Sequence, residues 1–130
     1  MGLIYTRVTL GNARRPEISP IEVEALVDTG ALHICIPEHL ALQLELEEFD
    51  RRELTFADGS QKLASYVGPL TVAVANRRGL SGAMVVGDEV LLGAIAMEDM
   101  DLVARPATRD VVPNPKNPNI AVSVAKGFRS

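Results

Sequence analysis

The sequence has few of the residues on which several common kinds of functional site depend. Its single cysteine, Cys35, excludes an internal disulfide and a cysteine-rich zinc framework. Tryptophan is absent and aromatic residues make up only 4% of the chain, too few for a stacking platform that binds single-stranded nucleic acid. The net charge of −4 is the wrong sign for a surface that binds phosphate backbones. These shortages argue against a nucleic-acid-binding protein.

Long apolar runs are also missing. Asp88 and Glu89 interrupt the most apolar region, residues 83–97, so that no segment has the length needed to cross a bilayer. The first residues lack the basic region and long apolar core of a signal peptide. We therefore expect a cytoplasmic protein without membrane contacts, folded as one domain over residues 1–130.

Short apolar segments separated by turn residues dominate the chain. Alternating or apolar patterns predict strands over residues 3–10, 21–27, 32–36, 70–74, 82–86, 90–93 and 102–103. Residues 37–44 and 94–100 predict two short helices. Residues 54–63 predict a β-hairpin, because Asp58 and Gly59 both tolerate the positive φ of a tight turn. This pattern predicts a mostly-β fold, a closed sheet or barrel with one or two short helices.

The tail over residues 105–130 has a different character. Its prolines forbid long regular structure. Residues 111–112 and 120–124 are short strand candidates. The second of these is apolar, and we expect it to pair with another strand, because an unpaired apolar strand invites aggregation.

Asp28 stands where one apolar strand ends, and a second apolar strand begins after the Thr29-Gly30 turn. Acidic side chains normally stay at the surface unless they are paired or hydrogen-bonded. A carboxylate between two apolar strands is therefore expected to be held in place, which makes Asp28 the main candidate for a functional residue.

His33, Cys35 and His39 offer a different interpretation, either a metal site or a Cys–His nucleophile pair. His33 and Cys35 share one face of a strand, but His39 lies on the following helix and a fourth ligand is not evident. A free cysteine in an apolar strand usually packs in the core. A serine hydrolase is weaker still, because the chain has no Gly-x-Ser-x-Gly motif.

The segment Val27-Asp28-Thr29-Gly30-Ala31 resembles the active-site signature of aspartic proteases. Over residues 3–125 the chain resembles the single-lobe, retroviral-type (retropepsin-like) group, including its small bacterial members. Leu54–Leu63 stands where that family has its flap hairpin, and Val90–Gly93 resembles the segment that passes behind the catalytic loop. Residues 94–100 match the helix that follows, and Val112–Pro115 resembles the tail of the bacterial members.

The resemblance implies a homodimeric aspartic endopeptidase that needs no metal or cofactor. Two carboxyls about 3 Å apart share a proton, so that one activates water while the other protonates the substrate carbonyl. Because this chain has one Asp-Thr-Gly, Asp28 and its symmetry mate would form the dyad. Thr29 would hydrogen-bond across the interface, and Gly30 would let the backbone turn. Residues 119–125, with residues 2–6, are candidates for the intersubunit sheet, and an intrachain edge strand is the alternative.

The family pattern also implies which residues bind a peptide or protein substrate. They are the residues after the catalytic loop, the flap tip and the segment behind the loop, namely Ala31, Leu32, His33, Ala57, Asp58, Gly59 and Leu92. Two departures stand out: the apolar residues Leu32 and Ala94 replace a charged pair of the viral members, and Gly59 is the flap tip's sole glycine. The alternative function is a protease-fold dimer that binds peptides or partner proteins without cleaving them.

Overall fold

Apolar residues at alternate positions build the strands of this protein, and turn residues end them. The computed structural model describes residues 2–125 and residue 127. Residues 1, 126 and 128–130 of the predicted domain lie outside the described part of the chain. The elements in chain order are β1 (Tyr5–Asn12), β2 (Ile21–Val27), β3 (Ile34–Ile36), α1 (Glu38–Gln43), β4 (Glu47–Thr55), β5 (Gln61–Val74), β6 (Arg77–Val85), β7 (Val90–Leu92), α2 (Ala94–Asp99), β8 (Leu102–Arg105) and β9 (Asp110–Pro113).

Six strands close into a barrel. The large sheet has the order β1-β2-β7-β3-β6-β5-β4, and an additional pairing between β1 and β5 closes its first six strands into a ring. β4 extends from β5 outside the closed ring, and β8 and β9 form a separate two-stranded sheet. The predicted mostly-β fold with a closed barrel and two short helices is confirmed.

The barrel encloses the main apolar core. Leu10 of β1, Leu70 of β5 and Leu92 of β7 are fully buried there. From α1, Leu40 and the following Leu44 point into the same core, as the spacing of the two leucines predicts. Neither helix that the structure describes is long and apolar enough to cross a membrane.

Three predicted segments differ from the structure. The strands predicted over 61–63 and 70–74 are one strand, β5, because the ladder continues past Gly68-Pro69 with a shift in register. Residues 32–33 form a bend, so that β3 begins only at Ile34. Residues 120–124 form no strand in the described chain, and Ile120 and Val124 are exposed.

Candidate active site

Asp28 directly follows β2 and begins the loop that leads to β3. β7 lies between these two strands, parallel to β2 and antiparallel to β3. The backbone N–H of Asp28 donates a hydrogen bond to the carbonyl oxygen of Leu92 on β7, at 3.1 Å. The preceding N–H, of Val27, donates to the carbonyl oxygen of Ile4 at 2.8 Å. Neighbouring strands on both sides therefore fix the backbone at the start of the loop.

The turn after Asp28 orients its carboxylate. The N–H of Gly30 donates to Oδ1 of Asp28 at 3.0 Å, and the N–H of Ala31 donates to the Asp28 carbonyl oxygen at 3.1 Å. Asp28, Thr29 and Gly30 are all exposed in the single chain. The sequence led us to expect a held carboxylate, and it is held through backbone contacts and the Gly30 amide while its side chain faces outward.

The start of α2 supports the same loop from behind. The N–H groups of Ala94 and Ile95 donate to the carbonyl oxygens of Ala31 and Leu32, at 2.8 and 3.1 Å. A Cβ atom on Gly93 would lie 2.6 Å from the carbonyl oxygen of His33 and 2.8 Å from those of Ala31 and Leu32. Only glycine permits this close approach, which locks the Asp28 loop to the joint between β7 and α2.

The hairpin of β4 and β5 ends in a tight turn over residues 56–60. The Phe56 N–H donates to the Ser60 carbonyl oxygen at 2.8 Å, and Asp58 Oδ1 accepts from the Ser60 N–H at 2.8 Å and hydroxyl at 2.6 Å. These bonds hold the pKa of the Asp58 carboxyl below its usual value. The predicted hairpin is confirmed, but Gly59 alone has a positive φ, of 86°, as in a three-residue turn with a glycine bulge.

The base of the hairpin and the strand after the Asp28 loop share one small apolar cluster. Cys35, Ala64 and Met84 form its buried centre, and Leu54 and Tyr66 pack against it. Leu54 and Ala64 belong to the two hairpin strands, whereas Cys35 belongs to β3, which follows the Asp28 loop. The cluster therefore joins the hairpin to β3, the strand that follows the Asp28 loop.

Cys35 is a core residue of this cluster. Burial, together with the negative charge of Asp28, raises the pKa of its thiol, so the thiol stays protonated and unreactive near neutral pH. Among residues 2–125 and 127, no group of three or more histidine, cysteine, aspartate or glutamate side chains could hold a metal ion. The packing favours the core interpretation of Cys35 over a reactive or metal-binding thiol.

The sequence did not predict a group of aromatic side chains that begins at His33, next to the Asp28 loop. The rings of His33 and Tyr66 have centroids 5.6 Å apart, those of Tyr66 and Phe49 are 6.3 Å apart, and the Arg52 guanidinium lies 3.9 Å from the Tyr66 centroid. Burial, and then the charge of Arg52, lower the pKa of His33. Tyr66 stands two residues after Ala64, so the two side chains share one face of a strand. This spacing does not reveal the partners of Tyr66, which come from β4 and from the bend before β3.

The structure brings together some of the predicted substrate residues and separates others. Leu32 is exposed next to the Asp28 loop, and His33 lies partly exposed against Tyr66. The Leu92 side chain does not line a cleft, because it is fully buried in the barrel core, and only its carbonyl oxygen contacts the loop. Among the described residues, no hydrogen bond joins the Ala57–Gly59 tip to the Asp28 loop.

Neither a protein-family model nor a curated protein matches the chain.

Proposed function

We propose that the protein is a retropepsin-like aspartic endopeptidase, which hydrolyses peptide bonds with a water molecule activated by two copies of Asp28 in a homodimer. The observation that carries the proposal is the setting of Asp28. Its carboxylate is exposed, while hydrogen bonds to Leu92 and the Gly93–Ile95 segment fix the backbone that carries it. A fixed backbone under an exposed reactive group is what preorganised catalysis requires.

A single carboxylate cannot supply both halves of the reaction. One carboxylate must accept a proton from water while a second, protonated carboxyl donates a proton to the peptide carbonyl, and these two states coexist only in a closely spaced pair. Since the chain has one Asp-Thr-Gly, the second carboxyl comes from a second copy related by a two-fold axis. Thr29 and Gly30, exposed beside Asp28, would then face the same residues of the partner.

The surroundings of Asp28 suit an extended polypeptide. The hairpin of β4 and β5 shares an apolar cluster with β3, the strand after the loop, and its tip, residues 57–59, would cover a bound peptide. Leu32 and His33, which follow the loop, would contact the side chains of that peptide. In the proposed dimer, the hairpin would leave the two carboxylates accessible while the peptide binds, and it would then exclude bulk water, apart from the reacting molecule, after closing over the peptide.

The test is cleavage of a peptide library between pH 4 and 7 by the wild type and by Asp28→Asn. The substitution keeps the shape of the side chain and removes its acid–base function, so we expect cleavage to fall at least about 100-fold. Glu24→Gln is the matched control, because it neutralises an exposed carboxylate on β2, four residues before Asp28. It should leave cleavage unchanged.

Two results would contradict the proposal. Cleavage that persists in Asp28→Asn would remove Asp28 from the reaction, and a strictly monomeric protein in sedimentation at micromolar concentration would leave no second carboxyl. If neither protein cleaves any peptide while both sediment as dimers, the protein is instead a protease-fold dimer that binds peptides or partner proteins.

A further inference from the structure

A cleft of about 420 Å³ lies between β4, β5 and β6, away from Asp28. Phe49, Tyr66, Pro69, Leu80 and Gly82 contribute to its lining. Its volume is in the range of about 300–1,000 Å³ that is typical of ligand pockets. The proposed reaction makes no use of this cleft.

Irregularities in two strand pairs create the cleft. The register between β4 and β5 shifts at Phe49, and the register between β5 and β6 shifts at Gly68-Pro69. Opposite the second shift, the Tyr66 ring lies over Gly82, where any Cβ atom would overlap it. The two register shifts thus leave a gap between neighbouring strands, and Gly82 leaves room for the Tyr66 ring at the bottom of that gap.

The exposed apolar side chains and paired charges that line the cleft favour an apolar ligand. Phe49 is 80% exposed and Leu80 is 64% exposed, so both offer apolar surface to a ligand. The two acidic residues on the rim are already paired, Glu47 with Arg14 at 3.4 Å and Glu48 with Arg51 at 3.2 Å. The rim therefore has no excess charge that would favour a charged ligand over an apolar side chain.

The cleft adjoins the candidate active site through Tyr66. A smaller cavity of about 60 Å³ shares Tyr66, Ser81 and Gly82 with the cleft and is also lined by His33. From the His33 ring it is 5.6 Å to the Tyr66 ring and a further 6.3 Å to the Phe49 ring. The His33 and Phe49 rings are therefore no farther apart than the two distances combined, and because an extended chain advances about 3.3 Å per residue, at most about four residues of bound peptide span the gap.

We propose that the cleft is a distal subsite that binds a bulky apolar side chain of the polypeptide substrate, at most about four residues from the substrate residue at His33. The inference rests on the proposed peptidase function and narrows its substrates to polypeptides long enough to reach from Asp28 to Phe49. Phe49 and Leu80 become specificity-determining residues. Apolar contacts in a shaped pocket change kcat/KM about tenfold or more.

The experiment uses a peptide of at least ten residues that the wild type cleaves, shortened one residue at a time from each end. We expect kcat/KM to fall about tenfold at the step that removes the distal apolar residue, mainly through a higher KM. Phe49→Ala should lower kcat/KM for the long peptide by the same factor and leave the shortened peptide unaffected. Leu42→Ala, which truncates an exposed leucine on α1, is the matched control and should change neither rate.

The possible failures are distinguishable. If cleavage has no dependence on peptide length, or if Phe49→Ala slows the long and the shortened peptides equally, the distal subsite is refuted while the peptidase function stands. If the wild type cleaves no peptide, or Asp28→Asn retains cleavage, the peptidase function itself fails and the subsite with it. Binding of the long peptide to Asp28→Asn, measured by fluorescence anisotropy, should be weakened about tenfold by adding Phe49→Ala.

Discussion

Gly93→Ala provides the sharpest test of how the Asp28 loop is held. The added methyl group would lie 2.6 Å from the His33 carbonyl oxygen and 2.8 Å from the Ala31 and Leu32 carbonyl oxygens, whereas real Cβ contacts stay above 3.0 Å. All three obstacles are backbone atoms, so no side-chain rotation relieves the clash. Either the loop or the joint between β7 and α2 must move by at least a few tenths of an ångström.

The movement has two costs. Overpacking of this kind costs about 1–3 kcal/mol, and weakening the hydrogen bonds from Ala94 and Ile95 to the loop adds about 1 kcal/mol. We expect the free energy of unfolding, measured with urea, to fall by about 2–4 kcal/mol. The cleavage rate should fall as well, by up to about 100-fold, because a displacement of about 1 Å in a reacting group can have an effect of that size.

Gly68→Ala is the matched control for stability, since the nearest atom to its added Cβ would be 3.6 Å away. It should change the free energy of unfolding by no more than about 1 kcal/mol. A Gly93→Ala protein with wild-type stability and cleavage rates would refute the argument that this glycine positions the Asp28 loop.

Two further predictions concern His33 and the tail. Burial lowers the pKa of His33 below its ordinary 6.5, so the unfolded chain takes up the proton more readily and stability falls as pH drops through 6.5. Between about pH 7.5 and 5.5, the urea midpoint of His33→Gln should therefore fall less than that of the wild type. The exposed-site control His39→Gln should behave like the wild type. Asp101 accepts hydrogen bonds from Asn114 and Asn117 and from the Val122 N–H. Asp101→Ala in the Asp28→Asn background should therefore speed proteolysis after residue 114 and leave the barrel intact, as judged by limited proteolysis with mass spectrometry. Cleavage of the tail at the rate of the Asp28→Asn parent would contradict this anchoring role.

The parts of the fold that were predicted correctly depend on local signals. The strand that leads to Asp28 alternates strictly, Asp58-Gly59 marks the hairpin turn, and Leu40 and Leu44 share one face of a helix. Each signal lies within a few residues of the feature that it specifies. The closure of the barrel follows less directly, because the pairing of β1 with β5 joins residues about sixty positions apart.

The aromatic group and the distal cleft depend on long-range register and were therefore not predicted. Tyr66 meets Phe49 and Arg52 because of how β4 pairs with β5, including the shift at Phe49. Nothing in the residues near Phe49 marks that shift. Gly68-Pro69 led to a wrong prediction. The pair is typical of the end of a strand, but it lies inside β5.

The exposed position of Asp28 also bears on the source of the second carboxyl that the proposed reaction needs. Among the described residues, the titratable group whose pKa responds to Asp28 is the Cys35 thiol, and burial raises that pKa so that the thiol cannot serve as a base near neutral pH. The proposed reaction therefore calls for a second carboxyl from outside the chain. Exposure of Asp28, Thr29 and Gly30 would be a weakness in a self-contained hydrolytic site, because water screens a lone carboxylate. In a site shared between two copies it is a requirement, since a side chain buried within its own subunit could not come within about 3 Å of its symmetry mate.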